Sequence, residues 1–291
     1  MIVGQSPRIR KSFQKAWSAL IALFLWDLAV TIFYFISPFP APALPLTIFG
    51  TALALILGFR VNSAYQRWWE GRILWGAMVN ASRSYARVVL AYLPDRAAAL
   101  KAELIERQIA YVHALRCQLR RQDPAPDMQR VLGGDVPELE RRNPANGLLD
   151  GSARRIGHAV RQGWIDTIQQ SQMERVLVDM ANAQGGMERL KNTPLPAQYR
   201  SFPKYFIRLF CVLLPIGLVE TLGIATPVGS AVASFMYLAV LQIGDDLVDP
   251  FANSIHDLPL NSVTTMIEGD LNQALGRPAP PPVQPEDGVL W

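Results

Sequence analysis

No proline interrupts residues 46 to 93, and within that stretch the segment Leu57 to Arg87 joins the end of a lipid-compatible apolar run to a polar helix rich in arginine and tryptophan. The glycines at 50, 58, 71 and 76 stand singly, and a helix in packed or membrane surroundings tolerates them. At 1.5 Å per residue one unbroken helix here reaches roughly 70 Å, over twice the thickness of a bilayer's hydrocarbon core. Such a helix crosses the membrane and continues well beyond it, or it bends. A span that runs straight into a polar helix usually lines something.

Half of the 291 residues are hydrophobic, which suits several spans and a sizeable polar part. Four apolar stretches are long enough, the second only marginally: Trp17 to Ile36, Leu44 to Phe59, Tyr205 to Leu222 and Thr226 to Gly244. Arg8, Arg10, Lys11 and Lys15 precede the first, and 22 of the 28 Lys and Arg lie between Arg60 and Lys204. The connections SPFPAPA and GIAT carry no basic residue. The positive-inside rule therefore places both termini and the central region in the cytoplasm, with two short hairpin loops outside. The first run is too long for a signal-peptide core and continues into a hairpin.

This predicts an all-α membrane protein with four transmembrane helices and long helices extending into a cytoplasmic helical domain. Residues 1–60 hold an N-terminal cytoplasmic segment and the first hairpin, and 61–204 form the cytoplasmic helical region. The second hairpin occupies 205–244, and an acidic turn with a short helix occupies 245–277. A Pro-rich tail at 278–291 is expected to be extended or disordered. Within the central region Ile105, Ile109, Val112 and Leu115 share one helix face, and Glu103 and Arg107 form an i,i+4 pair. Residues 122 to 151 read as loops with a short helix at most, and the following helical pattern is expected to stop at Gly185 and Gly186.

Chemical motifs are scarce. HExxH, the Walker glycine loop, GxSxG and CxxC are all missing, which lowers the expectation of an enzyme, and no catalytic residue, cofactor or metal is assigned. Cys117 and Cys211 imply neither a disulfide framework nor a metal site, and His113, His158 and His256 lack ligand-like spacing. The isoelectric point near 9.2 also suits nucleic acid, but the basic residues of a membrane protein mainly report topology. Arg67, Trp68, Trp69, Arg72 and Trp75 are explained by cation–π and stacking contacts between helices. Asp245, Asp246, Asp249 and Asp257 make the one metal-like acidic group; their spacing is not that of an EF-hand, and the DPF triplet serves equally as a turn. Asp27 sits near the middle of the first span, where it is expected to face protein rather than lipid.

One face does suggest transport. Thr51, Leu55 and Phe59 recur at i, i+4 and i+8; around a symmetry axis they would stack as rings whose apolar members form a constriction that gates by dewetting. On periodicity alone, packing or lipid contact explains such a face as well.

The residues Phe59 to Tyr65, then Arg67-Trp68-Trp69-Glu70, Trp75-Gly76, Asn80 and Ser82-Arg83 resemble the signature of the bestrophin family, bacterial branch. Asn192-Thr193-Pro194-Leu195-Pro196 and Asp249-Pro250-Phe251 match two further family segments, and the likeness covers roughly residues 8 to 260. The resemblance implies a homopentameric ion channel in the bacterial inner membrane, with one central pore, a neck within the bilayer and a second aperture in the cytoplasmic part. By position the neck falls on Thr51, Leu55 and Phe59, where Thr51 departs from the large apolar residues usual there. The aperture falls on Ile168.

The acidic run that forms a calcium clasp in eukaryotic members reads ANSIHD here, leaving Asp246, Asp249 and Asp257 as a possible acidic ion site. The resemblance thus implies a calcium-independent channel for monovalent ions, with cations such as sodium preferred and chloride as the alternative. Two rivals remain at this level. A secondary transporter would use Asp27 and Glu220 as carriers, though four spans are few and the hairpins show no evident repeat. A membrane-anchored enzyme or scaffold would place its work in the cytoplasmic domain.

Overall fold

The computed structural model describes residues 1, 17–38 and 40–291, so the basic cluster at Arg8, Arg10, Lys11 and Lys15 lies outside the described residues. Among the described residues nine α-helices follow in order: α1 Trp17–Ile36, α2 Leu46–Tyr92, α3 Ala98–Arg120, α4 Ala125–Leu132, α5 Pro144–Arg161, α6 Thr167–Asn192, α7 Ala197–Leu222, α8 Thr226–Leu247 and α9 Leu260–Ala274. Among the described residues the only strand-like pairing is an isolated antiparallel bridge between Glu286 and Val289.

The helix α2 is continuous for 47 residues, as the proline-free stretch predicts. Among the described residues three helical stretches are long and apolar enough to cross a membrane: Trp17–Ile36, Leu46–Tyr92, and Ala197–Leu247, which contains α7 and α8 joined by a 3-10 turn at Gly223–Ala225. Pro203 and Pro215 both lie inside α7, where packed helices can re-satisfy the carbonyls they free.

The chain divides into two compact units. One contains residues 17–67 and Pro194–Val248. Here α1, the first part of α2, α7 and α8 pack Leu53 and Leu57 against Ile207, Phe210, Cys211, Leu214 and Leu241. Leu213, Val212 and most of α1 remain outside that core, as expected of surfaces that meet lipid.

The second unit contains Met1, Trp68–Thr193 and Asp249–Trp291. Its core is built on α3, whose predicted face Ile105, Ile109, Val112 and Leu115 is buried. The predicted Glu103–Arg107 pair does not form. Arg107 is buried and donates instead to Glu138 at 2.6 Å, while Glu103 accepts from Arg155 of α5. Tertiary partners displace the local pair because a buried guanidinium needs a well-desolvated counterion, which an exposed i,i+4 neighbour does not supply.

Three further expectations differ from the structure. The segment 122–151 holds α4, a 3-10 turn at Pro137–Glu140 and the start of α5, which Asn143 caps by accepting from the Asn146 N–H at 3.0 Å. The helix expected to stop at Gly185 and Gly186 continues to Asn192. Gly186 is a packing residue: a Cβ there would meet Leu74 Cδ2 at 2.7 Å. Finally, the Pro-rich tail is irregular but anchored. Val289 is buried, the Ser262 N–H donates to the Trp291 carbonyl at 2.8 Å, and the Met1 ammonium donates to the Leu290 carbonyl at 2.6 Å.

Candidate functional site

In the unit that holds the apolar helices, α2 has two unlike faces. Leu53, Leu57, Arg60 and Ala64 are buried against its neighbours, which fixes the rotation of the helix. Thr51, Leu55 and Phe59 consequently lie on the opposite side, with Leu55 60% and Phe59 65% exposed within the single chain. The Thr51 hydroxyl donates to the Thr47 carbonyl at 2.8 Å, a back-bond that leaves its oxygen lone pairs and methyl group on the exposed face. The three expected neck residues thus share one unpartnered stripe, polar at the end nearer Leu46 and apolar toward Phe59.

The exposed stripe continues along α2 at heptad-like spacing through Asn62, Gln66, Trp69, Ile73, Gly76 and Asn80 to Arg83 and Arg87. It carries no carboxylate, and its charged members are the two arginines. Arg83 donates to Asp270 of α9 at 2.7 Å, whereas Arg87 reaches the Ser84 hydroxyl at 3.2 Å.

Ile168 lies in the first turn of α6 and is 71% exposed. Its placement follows from the residues around it. Asp166 and Gln169 form a reciprocal capping box, with the Gln169 N–H donating to Asp166 at 2.7 Å and the Asp166 N–H donating to Gln169 at 3.0 Å. Ile165 is buried just ahead of the cap, so the helix start is pinned and Ile168 is left on the outside.

Three signature residues, Arg60, Arg67 and Trp68, donate to backbone carbonyls. Arg60 is buried, donates to the Tyr199 and Leu241 carbonyls at 3.2 Å each, and pairs with Asp245, which Lys204 also approaches at 3.0 Å. Arg67 donates to the Val248 carbonyl at 3.0 Å. In the other unit Trp68 Nε1 donates to the His256 carbonyl at 3.2 Å, and Glu70 pairs with Arg189. Gly71 lets the DPF turn approach: a Cβ at Gly71 would meet Pro250 Cγ at 3.1 Å and Phe251 Cζ at 3.2 Å.

The expected acidic residues are each engaged by protein. Asp246 accepts from Gln242 at 2.7 Å, and Asp249 accepts from Lys191 at 2.7 Å and from the Phe251 N–H at 3.1 Å. Asp257 is buried and accepts from the Ser254 N–H at 2.6 Å and the Ser254 hydroxyl at 2.8 Å; burial raises its carboxyl above the usual range. Among the described residues no three His, Cys, Asp or Glu side chains gather as a metal group. The turn after α8 is built like a structural turn, with an aspartate at Asp257 closing it by accepting from Ser254.

Sequence reasoning missed one set of groups. Asp27 faces protein, as expected, but its surroundings on α8, Ser230 and Ser234, gave no signal because isolated serines in an apolar span look neutral. Cys117 and Cys211 are both free and buried, and His113 is hydrogen-bonded to Glu268 at 2.7 Å.

Known proteins match this arrangement over most of its length. The profile of the Bacterial/Fungal Bestrophin protein family matches residues 11–273. A relative from Ralstonia nicotianae, named voltage-dependent anion channel-forming protein RSc3414, is 37% identical over 240 residues, covering 81% of this chain and 78% of that protein. The voltage-dependent anion channel-forming protein YneE of Salmonella typhi is 36% identical over 268 residues, covering 89% and 86%. Among solved structures, a bacterial bestrophin homologue from Klebsiella pneumoniae superposes with a TM-score of 0.83 at 30% identity, over 89% of this chain and 97% of that one. The relatives' names carry anions, against the sodium preference that the sequence resemblance implied. With the family profile spanning all but the ends of the chain, and with its signature residues in structural use, the protein belongs to the bacterial bestrophins, a family of ion channels and not of enzymes.

Proposed function

We propose that five copies of this chain surround one axis in the bacterial inner membrane and conduct monovalent ions, with Thr51, Leu55 and Phe59 forming the neck and Ile168 the cytoplasmic aperture. The observation that carries this reading is the division of α2 into a buried face and an opposite, unpartnered face that holds all three neck residues. A helix that exposes Leu55 and Phe59 beside a hydroxyl needs something other than its own subunit to meet them, and rings of these residues would hold a narrow, easily dewetted passage. The hydroxyl ring at Thr51 makes one end of that neck wetter than the other.

Chloride-like anions are the permeant class this reading favours. The relatives' names support it, and so does the exposed stripe of α2, whose charges are arginines and not carboxylates. The acidic residues after α8 are held by protein groups, which supports gating without calcium. Both chain ends belong on the cytoplasmic side with four crossings between them. The bond from Met1 to Leu290 supports an even number of crossings, because bonded ends must share one side of a bilayer.

Purified protein in a planar bilayer tests the reading. Unitary current steps are expected, with a reversal potential that follows chloride when sodium, potassium and chloride gradients are varied separately. Tracking of sodium would restore the cation reading; saturable flux without unitary steps would replace the channel by a transporter. Native mass spectrometry in detergent checks the five-fold stoichiometry.

A further inference from the structure

The helix α1 buries only two of its twenty residues, Asp27 and Thr31, and every other side chain is partly or largely exposed. An apolar span that turns its polar pair inward has a polar seam. Facing residues on α8 are of the same kind: Thr226, Ser230 and Ser234 follow at i, i+4 and i+8, and all three are fully buried. From α7 the Cys211 thiol, also fully buried, faces Ser234 and lies near the Asp27 carboxyl.

The hydrogen bonding of this seam is unusual for this protein. Hydroxyls in its helices normally turn back onto their own helix: Thr31 to the Asp27 carbonyl, Thr51 to Thr47, Ser63 to Phe59, Ser82 to Met78 and Thr264 to Leu260, all at 2.7 to 2.9 Å. Ser230 and Ser234 do not. Both of their oxygens, and both carboxylate oxygens of Asp27, are buried without a hydrogen-bond partner among the described residues. Ser230 faces the carboxyl without reaching bonding geometry, and no Lys, Arg or His is among the groups acting on it. A buried carboxylate at membrane depth is costly unless something neutralises it, and hydroxyls that make no back-bond keep their lone pairs available to a partner.

We propose that Asp27, Ser230 and Ser234 form a binding site for a small monovalent cation of the sodium class, inside the helix bundle of each subunit and separate from the face of α2 assigned to the pore. One carboxylate carries one charge, so a monovalent ion neutralises the seam, whereas a divalent ion would leave it charged in a medium of low dielectric. Carboxylate and hydroxyl oxygens are hard ligands that suit an alkali cation, and the Cys211 thiol at the margin is not. A proton would also neutralise Asp27, with its O–H donating to one serine and its second oxygen accepting from the other, so the two occupants are separated by whether stability follows sodium or pH. The bound cation would tie α1 to α8 and thereby stabilise the bundle without entering the conduction path.

Thermal melting of the whole protein in detergent tests this, comparing sodium chloride with choline chloride at equal ionic strength and neutral pH. Sodium is expected to raise Tm by about 2 °C or more. The shift should vanish in Asp27→Asn and shrink in the Ser230→Ala, Ser234→Ala double variant, which retains the carboxylate should the first variant fail to fold. Equal melting in the two salts, or an undiminished sodium shift in the variants that fold, overturns the site; a Tm that responds to pH but not to sodium assigns the carboxyl to a proton instead. Unitary conductance measured on the same variants keeps the outcome distinguishable from failure of the pore reading, since these substitutions should leave it unchanged.

Discussion

Arg60 on α2 pairs with Asp245 on α8, and the guanidinium is buried while the carboxylate keeps 29% of its surface. Two backbone carbonyls, of Tyr199 and Leu241, occupy further donors of the same guanidinium at 3.2 Å. Only a planar group with several fixed donors can hold three helices in this way, so lysine is a poor substitute.

Removing the counterion should therefore be more damaging than an exposed ion pair would suggest. Asp245→Ala leaves Arg60 buried and uncompensated, with an expected loss of about 3 kcal/mol or more. Thermal unfolding in detergent, compared with Arg83→Ala at a half-exposed pair, checks it; equal small losses would show that Arg60 is solvated.

At Gly71 a single methyl group is expected to matter. Gly71→Ala drives a Cβ against Pro250 and Phe251, and overpacking of this kind costs about 1 to 3 kcal/mol. Gly76, where an added Cβ would meet nothing within 4 Å beyond its own stretch of helix, is the control: Gly76→Ala should be neutral or stabilising in the isolated subunit.

In the proposed neck, Leu55→Ala and Phe59→Ala should widen and wet the passage and raise unitary conductance severalfold, while Thr51→Val should lower it by drying the wetter end. Single-channel recording on variants shown to remain oligomeric decides this. Unchanged conductance in all three removes this face of α2 from the ion path.

Acid should loosen the unit that contains α9. Burial alone would raise the Glu268 carboxyl, but hydrogen bonds from His113 and Arg130 outweigh it and hold it at about 2, against 4.5 when unfolded. Its contribution is fully present above pH 4.5 and disappears as pH falls toward 2, a loss of up to about 3 kcal/mol. Denaturant titrations across that window should show the decline in the wild type and a flatter profile in Glu268→Gln.

The course of α2 was readable from the sequence because a long proline-free run leaves few alternatives. That Thr51, Leu55 and Phe59 share one helix face was readable because an i, i+4, i+8 set is a geometric statement about any helix. Three other features were not. Gly186 reads as a stop signal, yet Leu74 needs the space its missing side chain leaves. Glu103 and Arg107 have ideal local spacing, yet Arg155 and Glu138, distant in sequence, win both of them. Ser230 and Ser234 become conspicuous only when their hydrogen bonds are compared with those of other helical hydroxyls. Each case depends on a partner brought in by folding, which no single-sequence pattern encodes.

The Met1–Leu290 contact makes the chain a closed loop in all but covalent terms, since the Leu290 N–H also donates back to the Met1 carbonyl at 2.9 Å. A short peptide joining the two ends would span almost no distance, so a circular permutant opened elsewhere should retain the fold. By the same geometry, bulky fusions at either end would compete for one place, and a pair of fluorophores attached there would report on a single point instead of a distance.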